Sequence, residues 1–289
     1  MPPAEIATQE MVLTLWKGHE AANMANIPKG PDGIKTYVIP TWVTVVVAND
    51  GTGMGDVKDA AVKAQLDALN AAYSTASTRA GLRWYYKLME IKRVTGPDMC
   101  DTANEAKMKA MHRKGGKGDL NLFITDLSAC GLLGYSTWPW DLAKSSRMDG
   151  VVIHFDTLPV AGKYAPYNLG RTAIHEIGHW MGLYHTFQNG CGKGGDQVDD
   201  TPFTASPTEG CPKARDSCSQ VGSDPIHNFM DYADDKCMFE FTPLQQKRME
   251  LIWAKHRTPL VKLALPPGPE AQDTIESIRA ARQAQGMMG

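Results

Sequence analysis

The chain has 289 residues, 43% of them hydrophobic and 21% charged, with a formal net charge of −2. That makeup belongs to a globular protein long enough for one large domain or two lobes around a cleft. It gives no basic field for nucleic acid or an anionic membrane, and no apolar run approaches a membrane span, the longest strand-like one being Trp42–Ala48.

Residues 1–34 read as an arm or a remnant pro-segment that ends in the turn-rich Pro28-Lys29-Gly30-Pro31-Asp32-Gly33. No positively charged start with an apolar stretch behind it is visible there, so the source of any export signal stays open. Lys35–Ala48, rich in Val, Ile, Thr, Trp and Tyr, predicts a strand, broken by Asn49-Asp50-Gly51-Thr52-Gly53. Apolar residues at Val57, Ala61, Ala64, Leu66 and Leu69 predict an amphipathic helix over Val57–Tyr73. Leu82–Val94 returns to strand character, and Thr102–Lys114 reads as a helix stopped by Gly115-Gly116. Asp119–Leu127 and Val151–Phe155 are further strands. This alternation predicts an α/β (α+β) fold with a mixed sheet. Between the last two strands, Cys130–Trp140 carries too much Gly and Pro for a central strand and suits an edge strand or cleft rim.

A helix from about Gly170 carries the densest chemistry. His175-Glu176-Ile177-Gly178-His179-Trp180-Met181-Gly182-Leu183-Tyr184-His185 has the form H-E-x-x-H-x-x-G-x-x-H. Four residues of helix put His175 and His179 on one face, one turn apart, so both can reach one zinc ion. Gly182 can take positive φ, end the helix and bring His185 back as a third ligand. Three protein ligands leave a position open, as in catalytic rather than structural zinc sites. His154 reads as an ordinary core or surface residue, and His19, His112, His227 and His256 show no ligand spacing.

Beyond His185, residues 186–240 have almost no helical period and many Gly, Pro, Asp and Ser. A stretch this long needs something other than an apolar core to hold it. Cys191, Cys211, Cys218 and Cys237 lie here, with Cys100 and Cys130 upstream and no C-x-x-C pair anywhere. The even count points to disulfides and an extracellular setting, against the alternative of six cytosolic thiols, and leaves the pairing open. Asp196, Asp199, Asp200 and Thr201 crowd oxygen atoms into one loop, as calcium sites do; a solvated acidic turn is the alternative. Thr242-Pro243 starts a helix that runs to about His256, with Leu244, Met249, Leu251, Ile252 and Trp253 as its buried face. Residues 259–289 read as a linker and tail.

The long histidine motif, followed 45 residues later by Asn228-Phe229-Met230-Asp231-Tyr232, resembles the metzincin zinc metalloproteases. Leu183-Tyr184-His185-Thr186-Phe187, Val198-Asp199-Asp200-Thr201-Pro202, His227–Tyr232 and Gly131–Tyr135 with Trp138-Pro139 are similar to the pappalysin-like branch, peptidase family M43, over roughly residues 35–258. No cysteine-switch pro-segment is visible, the first cysteine being Cys100.

The resemblance implies a two-lobed zincin. The upper lobe, about 35–185, would hold the twisted sheet and active-site helix; the lower, about 186–258, would be irregular, disulfide-stapled and closed by a helix. It implies disulfides Cys191–Cys218 and Cys211–Cys237 and, with those formed, Cys100–Cys130. It implies a zinc-dependent endopeptidase acting on proteins or peptides, with Zn²⁺ on His175, His179 and His185 and Glu176 as general base. Tyr232 would stand near the metal as a catalytic hydroxyl, and Met230 would form the floor. Leu132, Gly134 and Tyr135 would bind substrate backbone as an added strand. Asp234 and Asp235, with Asp231, would line the P1′ pocket and favour Arg or Lys there. Two readings compete: a non-catalytic zinc-binding recognition protein on the same fold, which the intact Glu176 opposes, and a metzincin of another branch. The oligomeric state is open.

Overall fold

The computed structural model describes residues 33–74, 81–192 and 194–257. Apart from residues 33 and 34, the N-terminal arm lies outside the described residues, as do the linker and tail over 259–289 and the lone histidine His19.

Five strands form one mixed sheet. They are β1 Lys35–Ala48, β2 Leu82–Gly96, β3 Leu120–Thr125, β4 Gly134–Ser136 and β5 Val151–His154, in the order β2-β1-β3-β5-β4. β2, β1, β3 and β5 run parallel; β1, β3 and β5 are nearly continuous apolar runs because both of their faces are covered, whereas the edge strand β2 carries charged residues and is exposed over much of its second half. β4 alone is antiparallel, pairing Gly134 with Ile153 and Ser136 with Val151, and it leaves the outer edge of the sheet open.

Among the described residues four α-helices pack with the sheet: α1 Asp59–Ala72, α2 Thr102–His112, α3 Arg171–Trp180 and α4 Pro243–His256. Tyr37, Ile39, Val43 and Val45 of β1 face the main core with Leu66 and Leu69 of α1, Ile174 and Ile177 of α3, and Met249 and Trp253 of α4. The opposite face of the sheet packs Val46, Phe123 and Val152 on Met108 of α2. Each such side chain, fully buried, stabilises the fold by roughly 1.5–3 kcal/mol relative to exposure. Thr242 and Gln245 form a reciprocal capping box at the start of α4, with Pro243 in the first turn. Leu244, expected on the buried face of this helix, is 42% exposed. It lies in the first turn, one position after Pro243, and looks away from the core that Met249 and Trp253 enter.

The region 186–240 contains, as regular structure, one 3-10 turn at Asp235–Cys237 and an isolated bridge between Asn228 and Glu240. Cys191–Cys218 and Cys211–Cys237 hold it, and Cys100–Cys130 ties the start of α2 to the chain before β4. At typical values of about 2–4 kcal/mol each, such links supply what a core does elsewhere.

Candidate active site

α3 lies fully buried beside β4 and β5, and presents His175 and His179 from one face. The His175 Nδ1–H donates to the Phe229 carbonyl at 2.8 Å, and the His179 Nδ1–H to the Leu183 carbonyl at 2.7 Å. Both tautomers are thereby set with the lone pair on Nε2. The helix ends at Trp180, and Gly182 adopts φ +95°, returning the chain so that His185 completes the group. A side chain at Gly182 would also meet Ile252 of α4 at 2.8 Å.

His185 Nε2 lies 3.0 Å from His179 Nε2 and 3.1 Å from His175 Nε2. Among the described residues these three form the one grouping of His, Cys, Asp or Glu whose ligand atoms fall within 4.8 Å of one another. Burial pushes the His175 and His179 imidazoles down to about 4 and about 3, the His179 value helped by its neighbour His175. Burial, then the two other histidines, holds His185 well below its ordinary value. All three are neutral at pH 7, and converging lone pairs repel one another unless a cation sits between them. Zn–N bonds of about 2.0–2.1 Å at tetrahedral angles need nitrogens about 3.3 Å apart, so the donor set fits zinc.

Glu176 is 9% exposed, and burial raises its carboxyl to about 8. It stands against Gly134: a Cβ there would come within 2.9 Å of Glu176 Cγ. The absent side chain is what lets the edge strand run past the carboxylate. Glu176, His175 and Thr172 line a cavity of about 280 Å³ whose other walls include Leu132, Leu133, Tyr232 and Asp235.

The turn at Met230 closes the site from below. Asn228 Oδ1 accepts the Met230 N–H, and its amide group donates to Gln245 of the α4 capping box. Met230 lies directly under Gly178, where any Cβ would overlap its sulfur. Gly178 is a site residue that the motif, which leaves that position unspecified, does not single out. Gln245, 17 residues from Asn228, is another. The Tyr232 hydroxyl lies 3.1 Å from His185 Nε2. Burial, then Glu176, raises its pKa, so it remains a hydrogen-bond donor.

Of the remaining predicted site residues, Leu132, Gly134 and Asp235 line the cavity, and Tyr135 and Asp234 do not. The Tyr135 side chain points to the other face of the sheet, as strand alternation requires, and its hydroxyl donates to the Met99 carbonyl. Asp234 faces Lys236 at 3.6 Å, so that lysine leaves Asp235 unneutralised. Asp235 Oδ2 accepts the Leu169 and Arg171 N–H groups, while Oδ1 is buried without a partner. Burial raises this carboxyl to about 6. Tyr167, Arg171 and Met238 also line the cavity and carry no local sequence signal.

The acidic loop is divided. Asp196 is buried and accepts from Thr201 Oγ1 and the Val198 N–H; Asp200 Oδ2 accepts the Leu244 N–H; Asp199 is exposed. His154 accepts the Leu127 N–H within the core.

A family model for the M43 peptidases, described as pregnancy-associated plasma protein-A, matches residues 104–254. The chain is 38% identical over 258 residues to an extracellular metalloprotease of Pyricularia oryzae, covering 89% of this chain and 87% of that one. It is 41% identical over 223 residues to extracellular metalloprotease 1 of Coccidioides posadasii, covering 76% and 78%. Among solved structures, mature mirolysin of Tannerella forsythia in complex with a cleaved peptide superposes with a TM-score of 0.65 at 26% identity, covering 78% of this chain and 99% of that one. A promirolysin mutant of the same organism gives 0.69 at 25% identity, covering 87% and 90%.

Proposed function

The chain belongs to this M43 peptidase family and is a metalloendopeptidase, and from that premise we propose a secreted, zinc-dependent protease of the pappalysin-like branch, with Glu176 as general base. The observation that carries this reading is the convergence of three lone-pair-bearing Nε2 atoms beside a buried carboxylate, under the open edge of β4. Secretion is supported by the three disulfides and by relatives named extracellular. The catalytic domain is taken as 35–258, its two lobes meeting after His185.

Zinc on His175, His179 and His185 supplies a Lewis acid and lowers the pKa of water towards about 7. The free edge of β4 takes the substrate backbone as an antiparallel strand. Glu176 accepts the proton of the attacking water and hands it to the leaving amine. The Tyr232 hydroxyl donates to the oxygen that gains charge. Met230 and Gly178 pack together and fix the height of α3 above the turn.

The P1′ residue enters the 280 Å³ cavity, where the unpartnered Oδ1 of Asp235 favours Arg or Lys. In peptides varied only at P1′, wild type is expected to prefer basic residues. Asp235→Asn is expected to lower kcat/KM for P1′ Arg about 10- to 100-fold relative to P1′ Leu, the worth of a charge-assisted hydrogen bond. A wild type that cleaves faster before aliphatic residues sinks the assignment.

A calcium ion on Asp196, Asp199, Asp200 and Thr201 has less behind it, since the three carboxylates do not fall within 4.8 Å of one another. It rests on Asp196 Oδ2 and Asp200 Oδ1, both buried without partners, and on an Asp196 carboxyl that burial raises to about 7. Protein stripped with EDTA and given zinc alone is then expected to regain less melting temperature than protein given zinc and calcium. Full recovery with zinc alone removes the calcium site.

A further inference from the structure

Two residues beyond β4, the chain presents a second feature along the same edge. Trp138 is extended, with φ −83° and ψ 147°, and Pro139 then turns the chain away into a short 3-10 helix. The Trp138 ring lies parallel to Trp140 at 5.0 Å between centroids. It also meets Tyr184 at 5.5 Å and the metal-site residue His179 at 5.0 Å. Trp140 and Tyr184 are buried in a satellite cluster with Leu251 and Ile252, and Trp138 is the partly exposed member on top. The Arg248 guanidinium backs Tyr184 at 4.8 Å. A large ring held from several sides and left open to solvent is a preorganised platform, because little side-chain freedom remains to be lost on binding.

Direction along β4 assigns what lands on it. A strand added antiparallel to β4 runs towards Gly131, so its C-terminal, primed residues reach the cavity lined by Gly131–Gly134. Its unprimed residues run the other way, past Ser136 to Trp138. Gly134 lies beside Glu176 and so marks the level of the scissile bond. At roughly 3.3 Å per residue, Trp138, four residues beyond Gly134, sits about four positions upstream of that bond.

We propose that Trp138, backed by Trp140 and Tyr184, forms a subsite for an aromatic or proline side chain at about P4 of the substrate. The assignment rests on the protease reading and adds to it a selectivity on the unprimed side. Rings and pyrrolidines stack on indole with defined geometry, and small or charged residues gain little there.

The test uses the full chain loaded with zinc and two peptides that differ only at P4, Phe against Gly, with a third peptide that begins at P3. Wild type is expected to show a KM about 3- to 10-fold lower for the Phe peptide. Trp138→Ala and Trp138→Leu are both expected to bring that ratio close to one. Leu keeps apolar packing on His179, so zinc content and melting temperature separate lost folding from lost recognition. For the peptide that begins at P3, KM is expected to shift less than for the Phe peptide. If both variants keep the wild-type ratio, or if the short peptide suffers as much as the long one, the subsite is overturned. A wild type inert on every peptide overturns the protease reading, whereas one that cleaves with no P4 discrimination overturns the subsite alone.

Discussion

Replacing Glu176 with Gln is expected to lower kcat for peptide hydrolysis by about 100- to 10,000-fold, the range for loss of a general acid–base group. Zinc content should be unchanged, because the ligands are His175, His179 and His185 and their Nδ1 partners at Phe229 and Leu183 are untouched. Melting temperature should hold or rise. Glu176 is a buried carboxylate whose charge is penalised by desolvation, and an amide of the same shape carries no such penalty. A dication in the triad favours the ionised carboxylate, so wild type has its base ready at neutral pH. Kinetics on a general protein substrate, with zinc assayed on the same samples, decide the matter. If wild type and Glu176→Gln are equally inert with zinc bound, the fold serves recognition and not catalysis.

The second large effect concerns stability. Breaking the pair between Arg257 and Asp149 is expected to cost about 3–5 kcal/mol, as for other buried ion pairs that lose one partner. Both side chains are essentially excluded from solvent, and the guanidinium grips the carboxylate at 3.0 and 3.2 Å. Arg257 also donates to the Trp180 and Lys117 carbonyls and lies 3.5 Å over the Trp180 ring. Asp149 in turn accepts from the Trp180 indole N–H and from Thr137 at the rim. One pair thus joins the end of α4, the end of α3 and the chain just beyond β4. Arg257→Met and Asp149→Ala should each lower the urea midpoint sharply. The double variant should be less destabilised than the two singles added, because neither charge is left stranded. Additive losses in the double variant count against a specific pair.

The same pair sets a pH window. Burial pushes the Asp149 carboxyl up, but the Arg257 charge and hydrogen bonds outweigh it and hold its pKa below the ordinary 3.8. A carboxyl depressed on folding stabilises fully above its unfolded value, and the stabilisation is lost as pH falls from 3.8 through the folded value. Acid unfolding of wild type should therefore show a component below pH 3.8 that is missing in Asp149→Ala.

How much of this was legible beforehand depends on the range of the interaction. His175, His179 and His185 lie within eleven residues, and helical geometry with one turn at Gly182 is enough to bring them together; the long strand β1 announces itself by composition, because both of its faces are buried. Leu244 misled, since an apolar residue in a first helical turn belongs to the core only if a neighbour covers it, and none does. Membership of a strand or loop does not say which way a side chain points: the Tyr135 hydroxyl reaches Met99 on the other face of the sheet, and Asp234 faces Lys236. Met230 beneath Gly178, Gln245 on Asn228 and Arg257 on Asp149 are contacts across 52, 17 and 108 residues, and no local pattern marks them. The sequence by itself determined the helix that carries the histidine motif, the α/β alternation and the irregular stretch after His185, because these follow from periodicity and composition. Only the tertiary structure decided which acid reaches the pocket, what supports the turn beneath the metal site and which tryptophan faces the cleft, because those depend on chain segments that meet only after folding.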